Sequence, residues 1–271
     1  MPDPLLPLLP GPQDADRPWL VCYGIDERVE LTGHVLSMWL AKIAGFVTSE
    51  SVPGDGVHVA LPPHWRSVAW ACGTWLAGRS VLLGSNEEIR TAGLIPELSV
   101  AFTPESLYDE AEAQALVPPA SLALRWPEEL PALVLDGAAD LMHYPDRFTP
   151  VSTAADSVCL TDLTSEAAAP AAPGAPGGTA PSGGRLTVLT RAQLAARVEA
   201  ADAPAGSGRH STSRAVLVRS PDTAQMLQEV LVAWRTGRTA VVLTPEAGDD
   251  VAAAAIRQEG IQEDIQEGIT A

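Results

Sequence analysis

Val158–Thr190, VCLTDLTSEAAAPAAPGAPGGTAPSGGRLTVLT, decides how the chain is read. A short apolar strand enters a loop packed with Ala, Pro and Gly, and a second short strand leaves it into a helix. In an α/β protein that junction is where backbone N–H groups cradle an anion. Here the loop is long and poor in donors. It is either a working anion site or a degraded one.

Working outward from this stretch, strands and helices alternate on both sides. On the N-terminal side, Trp19–Tyr23 and Val29–Leu31 read as a strand pair. Thr32 then caps a helix whose Leu36, Trp39, Leu40, Ile43 and Val47 share one face. Val57–Leu61 is a strand, followed by Pro62-Pro63, a helix from about His64 to Ala77, and Gly78 as its left-handed stop. Further expected elements are strands at Ser80–Leu83 and Leu98–Phe102, a short helix at Asn86–Gly93, a helix over Pro104–Leu116 and a strand at Ala132–Leu135. On the C-terminal side, Thr190-x-x-Gln193 is a capping box. The strand Ala215–Val218, a helix to Arg235, Gly237 and the strand Ala240–Leu243 follow.

The second half repeats the first. With an offset of 159, Val57, Val59, Pro62, Trp75, Gly78 and Arg79 fall on Val216, Val218, Pro221, Trp234, Gly237 and Arg238. The expectation is an α/β fold of two related βαβ-type units with mostly parallel sheets flanked by helices. The units are a Pro-rich arm over 1–17, a first α/β unit over 18–157, and a second over 158–248 with the loop at 162–185. An acidic helical tail spans 249–271.

Composition narrows the function classes. A net charge of −17 with a single lysine, Lys42, gives no basic stripe, which argues against a nucleic-acid partner. The N-terminus carries Asp3 and many prolines and no cationic segment before its apolar residues, so neither a signal peptide nor a membrane span is expected. Cys22, Cys72 and Cys159 are odd in number and embedded in apolar runs, as reduced core cysteines of a cytoplasmic protein would be.

The order of elements resembles the start of adenylate-forming enzymes (acyl-CoA synthetases, luciferases and peptide-synthetase adenylation domains). Pro53-Gly54-Asp55-Gly56-Val57, Pro62 and Ala77-Gly78 fill the places of that family's G-D-x-V strand, following proline and A-G strand. Its signature T-S-G-T-T-G-x-P-K-G loop, which holds ATP phosphates, is matched at Thr164-Ser165 and at Gly178-Thr179. Gly183 and Gly184 follow, with Arg185 near the lysine position and Thr190-Arg191 replacing T-H. The resemblance makes Thr164, Ser165, Gly178, Thr179, Gly183, Gly184 and Arg185 the nucleotide or phosphate residues. The run Glu166–Gly177 splits them, and Glu166 brings a negative charge to a glycine position. The family's later nucleotide contacts and its small C-terminal domain with the catalytic lysine would be absent from this chain. The chain also resembles a group of short, truncated actinobacterial proteins that look like the front half of these enzymes, which implies ancestry and no activity.

Three functions stay open. The first is a non-catalytic homologue of AMP-dependent synthetases and ligases, kept as a ligand- or partner-binding module with no catalytic residue and no certain cofactor. A small carboxylate, a protein partner or a second copy would be its occupant. The second is a half-enzyme in carboxylate adenylation, with ATP or AMP and Mg2+ and a partner chain. The third is a structural or interaction protein. Asp136, Asp140, His143 and Asp146 are the one cluster with metal-ligand residue types, and no second His or Cys joins them, so no metal is expected. Trp65, Trp70 and Trp75 are five apart and read as core packing plus an interface.

Overall fold

In the computed structural model, residues 2–11, 14, 16–164, 186–202 and 213–262 are described. The chain opens with strand β1 (Pro18–Tyr23), β2 (Arg28–Thr32) and helix α1 (Gly33–Glu50). There follow β3 (Val57–Ala60), α2 (Trp65–Leu76), β4 (Val81–Leu83), α3 (Asn86–Ala92) and β5 (Leu98–Ala101). Two short strands, β6 (Gln114–Leu116) and β7 (Leu135–Asp136), lead to β8 (Val158–Asp162), β9 (Thr187–Thr190) and α4 (Arg191–Asp202). The last elements are β10 (Ala215–Val218), α5 (Thr223–Arg235), β11 (Thr239–Leu243) and α6 (Asp249–Glu259).

The strands make two sheets, one ordered β10-β11-β1-β2 and the other β7-β6-β5-β3-β4-β8-β9. Every pairing is parallel except the two hairpins, β1 with β2 and β8 with β9. Alternation along the strands sorts side chains to opposite faces. Leu20 and Cys22 of β1, Val81 and Leu83 of β4, and Ala240 and Val242 of β11 join one large cluster with Leu36, Trp70, Leu194 and Leu231 from the helices. Their neighbours Val21, Tyr23, Val241 and Leu243 face the other way and pack on Ala252 and Ala255 of α6. Leu82 packs against Ile89 of α3. The layers therefore run α6, sheet, α1-α2-α4-α5, sheet, α3.

Two related units are explicit in the registers. Val57 pairs with Val81 and His58 with Leu82; 159 residues on, Val216 pairs with Ala240 and Leu217 with Val241. The hairpins match as well. In one, Pro18 faces Thr32 and Leu20 faces Leu31; in the other, Val158 faces Thr190 and Leu160 faces Leu189, with the same register slip. Each hairpin ends in a threonine whose hydroxyl accepts from the next helix: Thr32 from Val35 N at 3.3 Å, Thr190 from Gln193 N at 3.2 Å. The Gln193 carboxamide returns to Thr190 N at 2.9 Å, completing the box read from the sequence. Each hairpin is built into the sheet of the opposite unit: β1 lies beside β11 and β8 beside β4. Both sheets thus draw strands from 18–157 and from 158–248.

One expected element is corrected. Pro104–Leu116 is not a helix; after a 3-10 turn at Pro104–Ser106, its last residues form β6 and pair with β5 through Ser99–Gln114 and Ala101–Leu116. The Ser99 hydroxyl takes Tyr108 N and Pro96 O takes Glu112 N, so ladder and turn bonds satisfy this backbone without helix. The strand expected at Ala132–Leu135 is also shorter and later, at Leu135–Asp136.

The Pro-rich arm is docked where it is described. Leu5 is fully buried, and Asp3 pairs with Arg191 at 2.6 Å with both side chains out of solvent. Cys22, Cys72 and Cys159 are free and buried, and burial raises all three thiols, Cys22 and Cys159 to about 12. Trp65, Trp70 and Trp75 are all buried in the central layer. No described helix is long and apolar enough to cross a membrane.

Candidate functional site

Parallel strands present their carboxyl ends, and the loops leaving them, to a common crevice, where α/β folds bind ligands. Two adjoining clefts occupy that edge here, sharing Pro62, Pro63 and Pro245. The first, about 300 Å3, lies where β3, β4 and β8 end and α5 begins, between Leu61, Gly84, Thr164 and Asp222. The second, about 410 Å3, lies between the β1–β2 turn (Gly24, Ile25, Asp26, Glu27), His64, Phe102 and Glu246.

Thr164 is the one sequence-predicted phosphate residue that is described. Its N–H and hydroxyl both donate to the Asp162 carboxylate, at 2.9 and 2.6 Å. Asp162 ends β8 and is buried, so the root of the loop carries a carboxylate engaged with its own turn. Ser165, Gly178, Thr179, Gly183, Gly184 and Arg185, and the run Glu166–Gly177 between them, lie outside the described residues. Across the cleft, Asp222 caps α5 by accepting Gln225 N at 2.8 Å, and the Thr223 hydroxyl donates to Leu61 O at 2.8 Å.

The second cleft holds the denser polar network. His64 is the N-cap of α2, and its Nδ1 accepts Arg66 N at 3.1 Å. Burial, then the Arg66 charge, lowers its pKa to about 4, so the ring is neutral at pH 7. Nδ1 being an acceptor, the ring proton sits on Nε2, which faces Glu27 at 3.7 Å and Ser121 Oγ at 3.4 Å. Ser121 accepts from the Trp65 indole at 3.0 Å and donates its hydroxyl to Glu27 at 2.7 Å, while its N–H reaches the other Glu27 oxygen at 3.2 Å. Ser, His and Glu meet here without forming a nucleophile. His64 Nε2 carries the proton and cannot take one from Ser121, whose hydroxyl already points at the carboxylate.

Arg66 has a different task. Its guanidinium donates to the carbonyls of Ala120, Ser121 and Ala123, stacks over Trp65 and Trp39, and is buried. It fixes the 120–123 segment that carries Ser121. The sequence marks His64 only as a helix start and Phe102 only as a strand end, and passes over Glu27, Ser121 and Glu246. These positions meet through pairings 94 and 57 residues apart, which no local pattern announces.

The acidic cluster near Asp136 is structural. Asp136 accepts the N–H groups of Trp126, Ala138 and Ala139, Asp140 accepts Asp136 N, and Asp146 pairs with Lys42 at 2.7 Å. Among the described residues no group of three or more His, Cys, Asp or Glu is placed to hold a metal ion.

The crystal structure of Brucella canis acyl-CoA synthetase superposes on 95% of this chain with a TM-score of 0.70 at 18% identity. The fold is that of the N-terminal part of adenylate-forming enzymes. Acetoacetyl-CoA synthetase from Streptomyces lividans matches 90% of the chain (TM-score 0.65, 17% identity), and an anthranilate CoA ligase solved with anthranoyl-AMP matches 94% (TM-score 0.66, 14% identity). The chain spans 48%, 39% and 47% of these three. In sequence it is 27% identical over 129 residues to a TIGR03089 family protein of Mycobacterium tuberculosis, covering 46% of this chain and 51% of the relative. No family model matches the sequence.

Proposed function

We propose that the chain is a non-catalytic homologue of the adenylate-forming enzymes, keeping their α/β scaffold as a binding module. The observation that carries this reading is the pair of bonds from Thr164 to Asp162, at 2.9 and 2.6 Å. A phosphate loop works by aiming unspent donors at the anion. This donor is spent on a carboxylate, and a fixed negative charge stands at the loop's root. Loss of one preorganised donor removes about 2.7–4 kcal/mol of transition-state stabilisation. The full chain, incubated with ATP, labelled pyrophosphate and a broad panel of carboxylic acids, is expected to give exchange at background. Robust exchange with any acid overturns the reading.

One observation favours a second reading. The chain keeps phosphate-loop residue types at Thr164-Ser165, Gly178-Thr179 and Arg185. ATP or AMP with Mg2+ would then bind at the β8–β9 loop, and a partner chain would supply the remaining machinery. Saturable ATP binding by calorimetry, abolished in Arg185→Ala, supports this reading. No binding of ATP or AMP at millimolar concentration removes it.

A further inference from the structure

The internal repeat gives the fold two equivalent clefts, of about 300 and 410 Å3. Leu20 beside Ala240 and Leu160 beside Val81 hold matching registers, so the β1–β2 turn occupies in one sheet the place that the β8–β9 loop occupies in the other. By the same offset, Pro62-Pro63-His64 at the start of α2 answers to Pro221-Asp222-Thr223 at the start of α5. The end of β11, with Thr244 and Glu246, answers to the end of β4. The cleft of about 410 Å3 is therefore the counterpart of the phosphate-loop cleft, with the four-residue turn Gly24–Glu27 in place of the long loop.

Its chemistry is the opposite of an anion site. The donors next to Glu27 are committed: Ser121 N–H and Ser121 Oγ bond to it, and His64 Nε2 lies 3.7 Å from it. Arg66, the buried cation behind the wall, gives its bonds to carbonyls at 120, 121 and 123. What faces the open space is acceptor capacity: the remaining lone pairs of Glu27, whose side chain is 36% exposed, and the exposed carboxylates of Asp26 and Glu246. The walls are apolar, with Phe102 set edge-on to His64 at 5.2 Å, Ile25, Pro62 and Pro119. A solvated carboxylate on a surface has no fixed direction, whereas both oxygens of Glu27 are oriented by bonds from one serine. An oriented carboxylate at the end of an apolar slot of this volume is the complement of an ammonium on a flat apolar body.

We propose that this second cleft binds small organic amines, the ammonium on the Glu27 carboxylate between Asp26 and Glu246 and the apolar body against Phe102 and the prolines. The inference rests on the binding-module reading and supplies its ligand class. The two fail separately, because pyrophosphate exchange is read at the phosphate-loop cleft and amine binding at this one.

Phenethylamine, 2-phenylethanol and phenylacetate share one shape and differ in charge, so calorimetric titration of the full chain with the three separates charge recognition from apolar filling. The amine is expected to bind about tenfold or more tightly than the alcohol, with phenylacetate weaker than both. Glu27→Gln, checked for native melting, is expected to abolish the amine's advantage. The exposed pair Asp26→Asn and Glu246→Gln is expected to weaken the amine severalfold and leave the alcohol unchanged. Equal binding of the three compounds, no binding of phenethylamine at millimolar concentration, or an advantage that survives in both variants overturns the proposal.

Discussion

Trp75 and Trp234 make the same hydrogen bond in two different sheets. Each is buried near the end of a helix, and each donates its indole N–H at 2.8 Å to a strand carbonyl, Trp75 to Cys159 and Trp234 to Trp19. Cys159 and Trp19 precede the residues, Leu160 and Leu20, that pair with Val81 and Ala240. The acceptor always belongs to the other unit's hairpin, so these two bonds hold the exchange together. Trp75→Phe and Trp234→Phe each leave a buried carbonyl short of its donor, at a cost of about 1–3 kcal/mol. Urea denaturation should show losses of similar size for both. A loss at one site alone would mean that the units are alike in shape and different in energetics.

The same punctuation sets a second comparison. Gly78 and Gly237 stop α2 and α5 with φ of +76° and +72°. An added Cβ at Gly237 meets nothing within 4 Å, whereas at Gly78 it lies 2.8 Å from a Val151 methyl. Gly237→Ala is expected to cost roughly 1–2 kcal/mol for the left-handed backbone alone. Gly78→Ala should cost more, because Val151 must also move. Equal costs in thermal melts would show that Val151 yields freely.

The repeat was legible because it lies in residues with local duties: a proline after a strand, a tryptophan, a left-handed glycine, a threonine cap. Their spacing survives in one dimension. The exchange of hairpins was not legible, since Leu160 beside Val81 and Leu20 beside Ala240 are matters of partner choice that no periodicity encodes. Pro104–Leu116 was misread for a related reason. Its proline at a first-turn position suits a helix, and the free edge of β5 drew Gln114–Leu116 into the sheet instead. At the candidate clefts, a motif marks Thr164 in the sequence, while no pattern marks Glu27 and Ser121, because a turn and a distant loop meet only in the folded chain.

Asp3 and Arg191 show how the N-terminal arm is held. The pair is at 2.6 Å with side chains 1% and 0% exposed. Asp3 also accepts Leu5 N at 3.0 Å, and Arg191 donates to Trp75 O at 2.9 Å. Removing one member strands the other charge in the interior, which costs about 3–5 kcal/mol. Asp3→Ala and Arg191→Met should each destabilise on that scale in urea, and the double variant Asp3→Leu with Arg191→Met should recover part of the loss. A single variant within about 0.5 kcal/mol of wild type, the range of ordinary surface changes, would mean the arm is not clamped by this pair.

His64 makes stability depend on pH. The imidazole has an ordinary pKa of 6.5 and is lowered to about 4 in the fold, first by burial and then by the Arg66 charge, with Glu27 acting in the opposite sense. Between those values the unfolded chain binds a proton that the folded chain refuses, so stability falls as pH drops through the window and is fully present above 6.5. The slope from one such group reaches about 1.4 kcal/mol per pH unit. His58, held by Ser99 and the Gly84 carbonyl, is lowered by burial too and adds in the same direction. His64→Asn keeps a capping side chain and removes the titration. Denaturation series from neutral pH down to about pH 5, above the range where most carboxylates titrate, should show a shallower slope in the variant than in wild type. An unchanged slope would place the imidazole in contact with water and sink this account of the cleft's floor.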